Sequence, residues 1–169
     1  MSLKLEKLPE RVVVVGGSSG MGLVLAEKLL AGGSEVVVVG RSADRLAQVR
    51  RRLREPVLLR TVSADVGIEE DVVRLFGEVG RVDHVITTAA DITGAYRPIG
   101  SLDLAEAGAA IASKLFGPLL LAKHAGPNLA SGGSLVFTSG IAAYRPGPKG
   151  ALVAALNGVL APRSHPPSR

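Results

Sequence analysis

Four consecutive valines, Val12 to Val15, open the hydrophobic pattern of the chain. A run without polar alternation is the mark of a strand buried on both faces, as in a parallel sheet covered by helices on each side. A second run follows at Val36 to Val39, a third from Pro56 through Val57 to Val62, and a fourth from Val82 to Thr87. The segments between them change period. Leu23, Leu25, Ala26, Leu29 and Leu30 fall on a helical stripe that should end at Gly32-Gly33. Ser42 is a natural N-cap for a second helix running to about Leu53, with Asp44 in its first turn, where the helix dipole favours an acid. Val72, Val73, Leu75 and Phe76 mark a third helix, about residues 69–78.

Beyond the fourth strand the pattern loosens. Residues 91–102 read as a Gly- and Pro-containing loop. A long helix is expected from about Asp103 to Ala125, with Leu104, Ala107, Ile111, Leu115 and Leu119 on one face. Pro118 lies inside it and should kink or break it. A fifth strand follows at Ser134 to Thr138, and a last helix at Ala151 to Leu160. Alternating strands and helices imply a doubly wound parallel sheet with right-handed crossovers, an α/β/α sandwich in three layers. The dinucleotide-binding strand order, 3-2-1-4-5, is the expectation, with a ligand crevice beyond the C-terminal strand ends. Residues 1–160 read as one domain, and residues 161–169 as a polar, proline-rich tail expected to lack structure.

Composition narrows the partners. The chain has 169 residues and a net charge of +5, so a nucleic-acid partner has to be weighed. Only 3% of residues are aromatic and there is no Trp, which removes a stacking platform for bases. The arginines of the second helix, Arg45, Arg50, Arg51, Arg52 and Arg54, then read as a solvated face. The chain has no cysteine, which excludes disulfides and thiolate metal sites and fits a reducing cytoplasm. His84, His124 and His165 are too scattered for a zinc motif. No apolar run approaches the length of a membrane span, and the first ten residues lack the apolar core of a signal peptide. No membrane partner is expected.

The first strand and first helix are joined by Gly16-Gly17-Ser18-Ser19-Gly20-Met21-Gly22. Glycines let the backbone turn tightly and approach a ligand, and the helix N-terminus then presents N–H groups to an anion. No Gly-Lys-Ser/Thr closes the turn, so it is not the loop of nucleoside triphosphatases. The turn resembles the T-G-x-x-x-G-x-G cofactor motif of the short-chain dehydrogenase/reductase family, with its glycines on Gly16, Gly20 and Gly22 and Val15 in place of the threonine. The resemblance spans about Val12 to Leu160. It implies a nicotinamide dinucleotide held by Gly16, Ser18, Ser19, Gly20, Met21 and Gly22, by Arg41 and Ser42, by Asp65 and Val66 at the adenine, and by Ala89 and Ala90.

The end of the second strand chooses between the two dinucleotides. An acid there accepts from the ribose 2′-hydroxyl, whereas an arginine pairs with a 2′-phosphate. Here Gly40-Arg41-Ser42 carries no acid. Arg41 offers a fork of donors to a phosphate, and Arg45 adds charge one turn later. NADP is therefore the expected cofactor, in agreement with what such an ending implies in the family.

The resemblance fails where the family does its chemistry. The family uses Asn, Ser, Tyr and Lys, because hydride transfer to a carbonyl creates an oxyanion that needs a positioned acid. By family spacing these positions fall on Lys114, Gly140, Val153 and Asn157, and strand four ends Thr87-Thr88-Ala89-Ala90 in place of Asn-Asn-Ala-Gly. Ser139, Lys114, and Tyr144 with Lys149 are the neighbouring candidates, and no catalytic residue is assigned. The family also continues for several elements past the last helix, so an incomplete substrate pocket is expected. Two readings stand: an NADP-dependent oxidoreductase acting on a small carbonyl or alcohol, and a non-catalytic or truncated dinucleotide-binding relative. The family's use of the long helix and the last helix as a dimer face implies a homo-oligomer, with Ala109, Ala112, Ala151 and Ala154 allowing close approach.

Overall fold

A computed structural model describes residues 9–160; the tail at 161–169 lies outside them. Five strands form one parallel sheet: β1 (Arg11–Val15), β2 (Glu35–Gly40), β3 (Leu59–Ser63), β4 (Val82–Thr87) and β5 (Leu129–Phe137). Their order is β3-β2-β1-β4-β5. Between them run α1 (Gly20–Ala31), α2 (Ala43–Arg52), α3 (Glu69–Val79), α4 (Gly108–Ile111) and α5 (Gly117–Ala125), and α6 (Ala151–Leu160) closes the described chain.

The valine runs explain the three layers. Val12, Val14, Val36 and Val38 point to one side, where Leu23 and Ala26 of α1 and Leu46 and Val49 of α2 cover them. Val13, Val15, Val37 and Val39 point to the other, against Val72, Leu75 and Phe76 of α3 and Leu121 of α5. Alternate residues of a strand face opposite sides, so an unbroken apolar run feeds two cores at once. All eight valines are at most 2% exposed. Burying each such side chain is worth roughly 1.5–3 kcal/mol, so these two strands anchor the sandwich.

Three boundaries differ from the sequence reading. The third strand begins at Leu59, because Arg54 and Glu55 take positive φ and the Leu59 N–H closes a turn onto the Pro56 carbonyl. Val57 is left fully at the surface. The fifth strand begins at Leu129, and its register jumps from Val82 opposite Leu129 to His84 opposite Ser134, so Ser131 to Gly133 bulge out. The long helix starts only at Gly108. A π-helical turn at Ala112–Phe116 separates α4 from α5 just before Pro118. Proline has no N–H to give and its ring crowds the carbonyl four residues back, and widening the preceding turn relieves both problems without breaking the rod.

Candidate functional site

The strands end together at one edge of the sheet. Hydrogen bonds extend the ladder past their ends, from Gly16 N–H to Val39 O at 2.9 Å, from Thr88 N–H to Val15 O at 2.9 Å, and from Thr138 N–H to Thr87 O at 3.2 Å. β1 lies between β2 and β4, where the winding direction reverses, and a cleft opens there. Its volume is about 540 Å³, within the range of small-molecule sites.

The glycine turn forms the floor. Gly16 sits at φ +81°, and a Cβ there would come within 2.7 Å of the Ala89 nitrogen. A Cβ on Gly22 would meet the Gly16 carbonyl oxygen at 2.5 Å and Thr88 Oγ1 at 2.6 Å. These two glycines let α1 start directly against the ends of β1 and β4. The Thr88 hydroxyl donates to Val15 O at 3.2 Å and pins the same junction. The first turn of α1 contains no acid, whereas α2 has Asp44 there and α3 has Glu69, Glu70 and Asp71. The Ser19 side chain makes no capping hydrogen bond, so the amino end of α1 faces the cleft with its donors uncapped by that side chain.

The sequence-derived cofactor residues converge here with one change of place. Gly16, Ser18, Ser19, Gly20, Met21, Arg41, Ser42, Asp65, Val66, Ala89 and Ala90 line the cleft, with Arg45. Gly22 lies beneath it, packed against the turn. Ser42 caps α2, its Oγ accepting from Arg45 N–H at 3.3 Å. Asp65 Oδ1 accepts from Gly67 N–H at 2.9 Å, which shapes the loop after β3.

Gly40-Arg41-Ser42 carries no acid of its own, but two acids from elsewhere in the chain reach Arg41. Arg41 Nη2 donates to Asp91 Oδ2 at 2.9 Å, and Arg41 Nη1 stands 4.0 Å from Asp65 Oδ2. Both acids come from later strand ends, so the local Gly-Arg-Ser could not reveal them. Asp91 is itself well held: its N–H donates to Ser113 Oγ at 2.9 Å, and its Oδ1 accepts from Thr93 N–H at 3.0 Å. Hydrogen bonds from the Thr93 hydroxyl and N–H, then from Arg41, lower its carboxyl from 3.8 to about 2.

A second, smaller cavity of about 200 Å³ adjoins the first, sharing Met21, Thr88, Ala90 and Asp91. All four positions reached by family spacing, Lys114, Gly140, Val153 and Asn157, line it, although they come from three separate stretches of chain. Asn157 is buried and donates from Nδ2 to Val153 O at 2.9 Å within its own helix. Ser139 lines the cavity too, but its hydroxyl donates to Asn157 O at 2.9 Å. Tyr96, which the sequence reading passed over, comes from the loop after β4. Tyr144 and Lys149 do not line either cavity. Among the described residues no group of three or more His, Asp or Glu side chains is arranged to hold a metal, and no helix is long and apolar enough to cross a membrane.

Fold and cleft together are those of the doubly wound α/β class. The model of the short chain dehydrogenase family matches residues 10–155, and the chain belongs to that family. It is an oxidoreductase family whose members bind nicotinamide dinucleotides. A 3-phenylpropionate-dihydrodiol/cinnamic acid-dihydrodiol dehydrogenase of Escherichia coli is 32% identical over 86% of this chain and 56% of its own. An uncharacterized oxidoreductase of Staphylococcus epidermidis is 36% identical over 50% of this chain and 38% of its own. The crystal structure of a short-chain dehydrogenase/reductase, glucose/ribitol dehydrogenase, from Brucella melitensis superposes with a TM-score of 0.81 at 26% identity, covering 89% of this chain and 65% of that one. The chain thus spans about half or less of the length of these curated relatives.

Proposed function

We propose that this chain binds NADP(H) in the larger cleft as a short-chain dehydrogenase/reductase whose nominal reaction is the interconversion of a small carbonyl and its alcohol. The observation that carries the reading is the convergence of the uncapped amino end of α1 and the Arg41 guanidinium on one cleft. The turn's N–H groups and the helix dipole suit a pyrophosphate, and Arg41 suits a 2′-phosphate. Bound there, the nicotinamide supplies or receives a hydride. The protein's own part is to hold the dinucleotide and to place a second ligand beside it in the adjoining cavity. Titration with NADPH and NADH, followed by cofactor fluorescence, tests the reading: saturable NADPH binding, tighter than NADH, is expected.

A second reading, a dinucleotide-binding protein with little or no turnover, is favoured by the lining of the second cavity. Gly140, Val153 and Asn157 supply no hydroxyl, phenol or ammonium at the three positions that family spacing gives to Ser, Tyr and Lys. Assembly as a homo-oligomer belongs to the same proposal, with Phe116, Leu119 and Val159 at least half exposed on the helices that would meet. Sedimentation at micromolar concentration tests it, and a monomer there refutes it. A cytoplasmic location fits the cysteine-free composition.

A further inference from the structure

The second cavity has apolar walls and one cation. Ala95, Ala110, Val153 and Leu156 form a small buried cluster that makes its base. Lys114 enters it from the π-helical turn and is only 9% exposed. Its Nζ donates to Thr138 O at 2.8 Å, just past the end of β5. Among the described residues no carboxylate pairs with it. Asp91, the acid on the same cavity wall, is already engaged by Arg41 and Thr93. An ammonium has three donors, and the protein occupies one. A cation taken out of water without a counter-charge is costly to the fold, so a ligand that brings the counter-charge gains from both attraction and relief. Burial pushes the Lys114 pKa down, which is the same cost read in another way.

We infer that this cavity is a receptor for a small organic anion, with its carboxylate at Lys114 Nζ and a compact apolar body against Ala110, Val153 and Leu156. This deepens the reading of the preceding subsection, on which it rests for the neighbouring dinucleotide, by naming the class of ligand that lies beside it. The π-turn is part of the argument. An ordinary helical turn would rotate residue 114 relative to the rod that carries it, and such wide turns recur where a side chain must be aimed at a site. A merely structural Lys114, tying the helix to the end of β5 through Thr138, is the competing account. It predicts no preference for charge in the ligand.

The test compares benzoate with benzamide, its neutral near-isostere, by calorimetry and by amide chemical shifts on the full chain. Benzoate is expected to bind about tenfold or more tightly than benzamide, the size of a charge-assisted contact. Lys114→Met should bring the two to within about twofold, and Lys114→Arg should keep the preference. Equal binding by the wild-type chain, a preference that survives in Lys114→Met, or no saturable benzoate binding overturns the proposal. If Lys114→Met does not fold, the wild-type preference and the location of the shifts decide. Shifts at Ala110, Ser139 and Asn157 support the site, and shifts confined elsewhere overturn it. NADPH titrated separately keeps the two readings apart: lost NADPH binding with benzoate binding intact refutes the cofactor site alone, and the converse refutes the anion site alone.

Discussion

Arg41 and Asp91, which both line the cleft, form a 2.9 Å ion pair between the end of β2 and the loop after β4. Asp91 is largely sheltered while Arg41 is more than half exposed, so the arginine is the partner that a ligand in the cleft can reach. A ribose 2′-phosphate and the Asp91 carboxylate would compete for the same guanidinium. Replacing Asp91→Asn should therefore free Arg41 and tighten NADPH binding several-fold while leaving NADH nearly unchanged. The measurement is the ratio of the two dissociation constants in the variant and the wild type. An unchanged ratio would show that the pair does not restrain the arginine.

Arg41→Asp tests the same residue from the other side. It removes the fork of donors and adds an acid where a 2′-hydroxyl would sit, so the preference should turn from NADPH toward NADH by about ten- to a hundredfold. Asp91 and Asp65 would then add repulsion against the phosphate. Comparable losses for both dinucleotides would mean that Arg41 acts only through the fold.

Asp91 also sets an acid limit on stability. Its folded-state pKa is depressed from 3.8 to about 2, first by the Thr93 hydroxyl, then by the Thr93 N–H, then by Arg41. A depressed carboxylate contributes its full stabilisation above the unfolded value and loses it as pH falls through the folded value. The contribution is roughly 1–2 kcal/mol, discounted for screening because the Arg41 partner is more than half exposed. Denaturant midpoints should therefore fall for the wild type between about pH 4 and pH 2, and Asp91→Asn should flatten that limb. The same loss in the variant would place the acid sensitivity elsewhere, with Glu69 and Asp71 the other depressed carboxylates.

The turn offers a prediction that does not depend on cofactor. Gly22→Ala would drive a methyl against the Gly16 carbonyl and the Thr88 hydroxyl, both set by the β1–β4 junction. Overpacking of this kind costs about 1–3 kcal/mol. Thermal unfolding should report the loss in the absence of any ligand. A Tm within a degree of wild type would mean that the junction yields easily.

How far these relationships could be read from the chain varies with distance along it. The valine runs announced the sheet, its burial on both faces and the glycine turn, because each of those signals is contiguous. Ser42 as a cap was equally local. The pairing of Arg41 with Asp91 was hidden, because it joins strand ends that only the parallel topology brings together. The π-turn was half visible: Pro118 marked a disturbance, but a kink, a break and a widened turn all satisfy a missing N–H. The late start of β3 arose from two positive-φ residues, Arg54 and Glu55, neither of a type that announces a left-handed turn. The second cavity was not legible: family spacing named Lys114, Gly140, Val153 and Asn157, but these have no common local pattern that would show them lining one space.

Those four residues bear on catalysis. Carbonyl reduction by this polypeptide is expected to be absent or very slow. Val153 has no proton to give, Asn157 carries no charge and spends its amide on the Val153 carbonyl, and Gly140 has no hydroxyl. The Ser139 hydroxyl beside it is turned to the Asn157 carbonyl. A general acid is worth about a hundred- to ten-thousandfold, and an oxyanion donor about a hundred- to a thousandfold. Such groups work as a unit, so their losses do not simply multiply. What is left is a hydride donor held next to a second ligand, which proximity alone accelerates. Lys114 is the cation lining that cavity, and with two of its three donors free of protein partners it is the first residue to test as a replacement acid. The measurement is NADPH oxidation against a panel of ketones, quinones and 2-oxo acids. Turnover at an ordinary enzymatic rate, abolished by Lys114→Ala or Ser139→Ala but kept by Tyr144→Phe, would overturn the expectation and identify the replacement acid.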